Sequence, residues 1–114
     1  MKRKLAIIAV LLTLAAAAFA QSSGKGSSLR LLTGQVTTGN NAPMDKAIVY
    51  LKNTKTLAVK TFITNPDGNY RFPALSPNVD YEVYAEVNGK KSETKVLSSL
   101  DSRSNPNINL RINQ

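Results

Sequence analysis

Thr64-Asn65-Pro66-Asp67-Gly68-Asn69-Tyr70-Arg71-Phe72 joins a turn directly to a strand, and this stretch decides the fold. Pro66 presets φ for the first corner of a β-turn, and Gly68 supplies the positive φ that closes it. Tyr70 and Phe72 lie two residues apart, so both side chains point to the same face of a strand. The stretch therefore predicts a hairpin with an aromatic face.

The segments on either side of this turn read as further strands. Residues 81–87 alternate strictly between apolar and polar side chains, and Asn88-Gly89 is a preferred type I′ hairpin dipeptide. No segment after residue 20 shows a convincing helical period. The pattern predicts an all-β protein, a seven-stranded antiparallel Greek-key β-sandwich. The expected strands are 31–37, 47–52, 58–64, 69–72, 81–87, 91–97 and 107–113.

The first twenty residues have the layout of a secretory signal peptide. Three basic residues at positions 2–4 precede an uncharged apolar run over 5–17, and Ala18-Phe19-Ala20 forms a small-x-small cleavage site. A membrane anchor is the alternative, but the apolar run is shorter than the roughly 20 residues of a spanning helix. We expect a signal peptide at 1–20, a flexible linker at 21–28 and one domain at 29–114. This organisation predicts a secreted or periplasmic protein without a stable membrane span after cleavage.

The composition removes most of the common catalytic groups. The 114 residues include neither histidine nor cysteine, so the commonest general base, thiolate chemistry, disulfides and the usual zinc ligands are absent. The net charge is +8, and loss of residues 1–20 leaves twelve basic and seven acidic residues, or +5. We therefore predict a non-enzymatic protein with no catalytic residues, no cofactor and no metal. The scattered lysines favour a solvated surface, and we expect no nucleic-acid partner.

Three weaker chemical alternatives concern specific residues. Residues 65–69 offer Asp and Asn oxygens of the kind that calcium prefers, although β-turn chemistry explains them better. Glu82 and Glu86 share a strand face, but nothing beside them favours acid–base catalysis. An intramolecular isopeptide bond would have to join Lys52 and Asn109, an improvised pair, because strand 31–37 carries no lysine.

The spaced residues of the chain also resemble a known family. Gly34-x-Val36, Pro43, Ala47-x-Val49-x-Leu51, Thr64-x-x-Asp67-Gly68-x-Tyr70-x-Phe72, Leu75-x-Pro77 and Tyr81-x-Val83 resemble the carboxypeptidase regulatory-like domain. The resemblance spans about residues 31–112. It implies a transthyretin-like (prealbumin-like) sandwich of the carbohydrate-binding-like class, and it transfers a fold rather than an active site.

Two positions depart from the pattern of this family. Lys46 stands where the family usually has glycine, which a non-glycine residue tolerates if its φ is negative. Asn78-Val79-Asp80 replaces a glycine before the tyrosine of the fifth strand and lengthens that loop. Both departures lie in loops, where binding specificity is usually located.

The remaining functional signal is aromatic. Tyr50 and Tyr84 fall on the strand face opposite the expected core, and with Ile48 they form a candidate binding surface. Cross-strand pairing that only steadies the sheet is the structural alternative. The first hypothesis is an interaction with an unknown envelope or extracellular protein, through this face or through a sheet edge. The second is carbohydrate binding on the tyrosines.

Overall fold

The structure is a computed structural model, and it describes residues 28–113. The predicted signal peptide and nearly all of the predicted linker lie outside the described residues. Within that range the chain is all-β, and no helix there is long and apolar enough to cross a membrane. The strands are β1 Arg30–Thr38, β2 Ile48–Asn53, β3 Val59–Ile63, β4 Asn69–Leu75, β5 Tyr81–Val87, β6 Lys90–Lys91, β7 Lys95–Leu97 and β8 Leu110–Ile112.

Two sheets pack face to face as a β-sandwich. The smaller sheet has the order β4-β1-β8, and the larger one has the order β3-β2-β5 with both β6 and β7 paired to the far side of β5. Their inner faces supply one apolar core, which explains the strict alternation of burial along β1 and β5. The predicted all-β sandwich is confirmed.

The strand count and one strand direction differ from the prediction. Eight strands form in residues 28–113 rather than seven, because the segment predicted as 91–97 splits into β6 and β7. The pairing is not antiparallel throughout, since β8 runs parallel to β1, with Val36 opposite Leu110. Parallel pairing follows from the route of the chain after β7: it crosses to the start of β1, where Leu31 N–H donates to Ser104 O, before running alongside β1 into β8.

The turn in the opening stretch forms as its residues dictate. Gly68 has φ +75°, and its N–H donates to Asn65 O at 2.8 Å. The Asn65 side-chain oxygen accepts from the N–H groups of Asp67 and Asn69, both at 3.0 Å. These short polar bonds specify the reversal between β3 and β4. The Asn88-Gly89 turn also has positive φ at both residues, as a type I′ hairpin requires.

Tyr70 delivers this hairpin into the core next to a residue that has no side chain. Its ring lies against Gly34 in the middle of β1, where an added Cβ would overlap Ile108 O and approach Tyr70 Cε2 to 2.5 Å. The Tyr70 hydroxyl donates to Ile108 O at 2.6 Å, and burial raises its pKa, so it remains a donor. Gly34 therefore makes room for the ring and for the segment that leads into β8.

Two buried hydroxyls take over the role of a backbone carbonyl in the larger sheet. Thr64 Oγ1 accepts from Ala47 N–H at 2.9 Å and donates to Met44 O at 2.7 Å. Ser92 Oγ accepts from Ala85 N–H at 2.9 Å, while Ser92 N–H donates to Ala85 O. Side-chain bonding at Ser92 replaces one bond of the regular ladder, which is why β6 and β7 are separate strands.

The two departures from the family pattern have structural consequences. Lys46 has φ +60°, so the condition of a negative φ is not met, and the residue occupies the left-handed region that glycine adopts without cost. The longer loop before β5 receives Arg30, whose guanidinium is buried and donates to Val79 O at 2.8 Å and to Ser76 O at 2.7 Å. A third bond, to Ser98 O at 2.7 Å, ties this loop to the segment after β7.

Gly34→Ala is expected to lower the free energy of unfolding by at least about 2 kcal/mol, because a backbone oxygen and a packed ring must both move. Gly39→Ala is the matched control: its Cβ would meet only the end of the Asn113 side chain, and a change within about 0.5 kcal/mol is expected. Urea unfolding followed by circular dichroism measures both. Equal effects at the two glycines would contradict the packing described for Tyr70.

Thr64→Val keeps the side-chain shape but leaves Ala47 N–H and Met44 O without their partner. We expect a loss of about 2–3 kcal/mol in the free energy of unfolding. Thr61→Val, on the exposed surface of β3, should change it by less than about 0.5 kcal/mol. Matched urea curves decide the point, and a Thr64→Val protein as stable as Thr61→Val would exclude the bridging role of this hydroxyl.

Candidate binding surface

The larger sheet presents its outer face to solvent, and the pairing register shows which residues meet there. Ile48 lies opposite Ile63 and Glu86, and Tyr50 lies opposite Thr61 and Tyr84. The structure therefore brings together all three residues predicted from the sequence. We call this surface the tyrosine face; it consists of Ile48, Tyr50, Val59, Ile63, Tyr84 and Val96.

The two tyrosines form a stacked cross-strand pair. Their ring centroids are 4.8 Å apart and the ring planes differ by 16°. The pair joins β2 to β5 at the centre of the larger sheet, and both side chains are half-buried. Such aromatic pairs stabilise a sheet beyond their buried area. The structural alternative predicted from the sequence thus describes one role of these residues.

Several apolar side chains around the tyrosines remain in water. Ile63 is 64% exposed, Val96 58%, Val59 55% and Ile48 37%. Of these four residues only Ile48 was predicted from the sequence, because β3 and β7 show no clear alternation from which to assign an outer face. The period-2 alternation of strand side chains could have found them: once one outward residue of a strand is known, the residues two positions away share its face.

Charged groups frame this apolar surface. Glu86 lies opposite Lys91 on β6, and Glu82 lies opposite Lys52 on β2. Burial, with a smaller contribution from the Glu86 carboxylate, raises the pKa of the Tyr50 hydroxyl, so Tyr50 is neutral at physiological pH. The Lys91 ammonium nitrogen lies 5.4 Å from the centroid of the Tyr84 ring. The surface therefore combines neutral aromatic area with charges of both signs.

The weaker chemical alternatives gain no support from the geometry. The side-chain oxygen of Asn65 is engaged in the turn, and residues 28–113 contain no group of three or more acidic side chains that could hold a metal. Glu82 and Glu86 face lysines rather than each other across the strands. Lys52 lies on β2 of the larger sheet, whereas Asn109 immediately precedes β8 of the smaller sheet, and Asn109 Oδ1 accepts from Gln35 N–H at 3.0 Å. The structure does not bring this pair together.

A polar groove of about 710 Å³ lies on another side of the molecule, where β8 faces the strands after β5. Lys91, Lys95 and Arg111 line it together with Glu93. The Arg111 guanidinium already donates to Asn41 Oδ1 at 2.7 Å. All four of these charged side chains are exposed, as expected for a solvated surface.

The comparison with protein families decides the classification. The sequence model of the carboxypeptidase regulatory-like domain matches residues 32–113, almost the whole described range. The chain belongs to the carboxypeptidase regulatory-like domain family. The resemblance inferred from the hairpin stretch and its flanking strands is therefore confirmed. No curated protein matches this member of the family.

Solved structures share its fold at low sequence identity. Catechol 1,2-dioxygenase from Acinetobacter sp. ADP1 has a TM-score of 0.60 at 11% identity, over 81% of this chain and 54% of that one. A point variant of BcpA, the major pilin subunit of Bacillus cereus, has a TM-score of 0.59 at 11% identity, over 76% of this chain and 30% of that one. An intradiol ring-cleavage dioxygenase from Tetranychus urticae has 0.56 at 13%, over 79% and 83%. The chain spans about half the length of the bacterial dioxygenase, and these likenesses show the fold alone.

A double-mutant cycle tests the stacked pair. The effects of Tyr50→Ala and Tyr84→Ala on the free energy of unfolding should be non-additive, with a coupling of about 0.5–1.5 kcal/mol, because either substitution removes the same ring–ring contact. The control pairs Tyr50→Ala with Val96→Ala, a residue of the tyrosine face that pairs with Glu82 rather than with a β2 residue. That cycle should be additive within about 0.5 kcal/mol. Coupling absent from the tyrosine cycle would contradict the stacking.

Proposed function

We propose that this protein is an exported, non-enzymatic module that binds another protein at the cell envelope or outside the cell through the tyrosine face. The observation that supports this proposal most directly is the set of four exposed aliphatic side chains around a stacked tyrosine pair. Aromatic area with an apolar rim and flanking charges is the composition of protein interaction surfaces. A partner would cover side chains that now face water.

The non-enzymatic part of the proposal rests on the chemistry of the chain. It has no histidine and no cysteine, and its seven carboxylates are distributed over loops and strand exteriors. The histidine and cysteine side chains that most often serve as general base and nucleophile are therefore missing. Export is inferred from the residues of the predicted signal peptide. The fold neighbours include a pilin subunit, which is compatible with a structural module.

Carbohydrate binding is the second candidate, and the tyrosine pair is the observation that favours it. Aromatic rings commonly stack on the apolar faces of sugars. The strand order limits how they would do so here: Tyr50 covers one side of Tyr84 and Lys91 approaches from the side of β6. A sugar would stack on the outer side of Tyr50 alone, which makes this a smaller platform than a protein partner would use.

Site-specific crosslinking tests the protein-binding proposal. A photoreactive amino acid at position 48, in the tyrosine face, should crosslink a discrete partner from an envelope or culture extract of the source organism. The same group at position 71, exposed on β4 of the other sheet, should not. Tyr50→Ser with Tyr84→Ser should reduce capture at least about tenfold, which corresponds to about 1.4 kcal/mol.

Two results would count against a protein partner. The first is crosslinking of equal yield and pattern from positions 48 and 71. The second is a glycan array on which the wild-type protein binds and Tyr50→Ala does not, which would support the carbohydrate candidate instead.

A further inference from the structure

The strand β3 forms a free edge of the larger sheet. Its backbone N–H and C=O groups point alternately toward β2 and away from it. On the side that faces β2, Thr64 N–H donates to Ala47 O, and Asn53 N–H donates to Ala58 O. Bonds to β2 therefore fall on the even-numbered residues of this antiparallel pair. The N–H and C=O groups of Val59, Thr61 and Ile63 point away from β2. No other strand in residues 28–113 pairs with them.

This edge has two chemically different sides. Val59 and Ile63 belong to the tyrosine face and are more than half exposed. On the inner side, Phe62 packs edge-on against Phe72, with ring centroids 6.2 Å apart. Lys60 lies on that side as well, because its pairing partner is the buried Leu51. An added strand would meet apolar side chains on the outer side and a cation on the inner one.

The strand at this edge and its nearest neighbours in the chain carry only positive charges, although Glu82 on β5 lies opposite Lys52 on the outer face of the sheet. Residues 46–64 form β2, β3 and their flanking residues, and they contain Lys46, Lys52, Lys55 and Lys60 but no Asp or Glu. The single salt bridge among the described residues, between Asp101 and Arg103, lies elsewhere. Lys60 therefore forms no salt bridge within the part of the chain that the structure describes. An edge with this field attracts an acidic segment and repels a basic one.

We propose that β3 binds an extended acidic segment of a partner protein as an added antiparallel strand, with a carboxylate opposite Lys60. Backbone groups of Val59, Thr61 and Ile63 would supply the ladder, and the apolar residues at 59 and 63 would fix its register. The inference rests on the proposed role in protein binding, and it adds the backbone edge of β3, which borders the tyrosine face at Val59 and Ile63, and the chemistry of the partner.

A second copy of the chain is a poorer occupant of the same edge. Pairing of two β3 strands about a twofold axis at Lys60 would place two ammonium groups directly opposite each other. A twofold at Thr61 would leave them diagonal neighbours, without any carboxylate from residues 46–64 of either copy. Lysine on an edge strand is a common device against self-pairing. The same residue that disfavours a copy favours an acidic partner.

The test uses a peptide designed for this register. Acetyl-Glu-Val-Leu-Thr-Glu-Val-Glu-amide, labelled with a fluorophore, places Thr opposite Thr61, Glu opposite Lys60 and Val opposite both Val59 and Ile63. We expect saturable binding to the purified chain by fluorescence anisotropy. The peptide with Lys at each Glu position should bind at least about tenfold more weakly, because like charges then meet across the strands.

Backbone methylation separates strand addition from simple charge attraction. N-methylation of the peptide Thr removes a ladder donor that faces Thr61, and should weaken binding at least about tenfold. The N–H of the neighbouring Leu points away from β3, so N-methylation of that residue should change the affinity by less than about threefold. The two peptides have equal charge and composition, so only the direction of the blocked N–H differs.

Protein variants complete the test. Lys60→Glu should reverse the preference between the acidic and basic peptides. Thr61→Pro removes a free edge donor without removing a bond to β2, and should abolish binding of the acidic peptide. Circular dichroism confirms that each variant is folded. Arg71→Ser, exposed on β4 of the other sheet, should keep peptide binding within about threefold. Loss of peptide binding in a wild-type chain that still captures a partner from position 48 would reject the edge and keep the tyrosine face.

Three outcomes would overturn the inference. The first is equal affinity for the two N-methylated peptides. The second is acidic-peptide binding that survives both Lys60→Glu and Thr61→Pro. The third is a wild-type chain that dimerises in sedimentation experiments and becomes monomeric on Thr61→Pro, which would make a second copy the occupant of this edge.

Discussion

Close packing of Tyr70 on Gly34 is the constraint on which the rest of the fold depends. The ring enters from the hairpin turn, crosses the centre of the smaller sheet where Gly34 leaves space, and ends in a hydrogen bond to Ile108 O. Three segments that are far apart in the chain thus meet at one residue without a side chain. The turn that begins at Asn65 sets the start of β4, and β4 places Tyr70. One local reversal therefore sets the position of the side chain that contacts both β1 and the segment leading into β8.

The sequence predicted the features that local chemistry controls. The alternation of apolar and polar residues predicted β5, and the Asn-Gly dipeptide predicted the hairpin that follows it. The spacing of Tyr70 and Phe72 predicted the buried face of β4. It also placed Tyr50 and Tyr84 on the outer face, because both lie between buried neighbours. Their stacking could not be predicted, because it requires the pairing register between β2 and β5. These strands are neighbours in the sheet but are separated in the sequence by β3 and β4.

The features that the sequence did not predict depend on distant partners. In the sequence Arg30 resembles any polar residue at the start of a strand. Its guanidinium is nevertheless buried and donates hydrogen bonds to three carbonyl oxygens of residues at least 46 positions away. Ser92 reads as part of a continuous strand, but its hydroxyl bonds to Ala85 and interrupts the ladder. Lys46 has a positive φ at the point where its own N–H donates to Thr64 O and the adjacent Ala47 N–H donates to the Thr64 hydroxyl. In each case a tertiary contact outweighs the local preference.

The parallel pairing of β1 with β8 has a consequence for how the chain reaches its folded state. β1 is the central strand of its sheet, and one neighbour, the segment around Asn109, lies 74 residues away in sequence from its partner Gln35. Closing so long a loop is entropically costly before any contact offsets it. Folding is therefore expected to be slow for a domain of this size, on the millisecond-to-second scale of proteins with many non-local contacts. Until the last strand docks, β1 keeps one side unpaired, so partly folded chains expose the side of a central strand in addition to the lysine-bearing edge of β3.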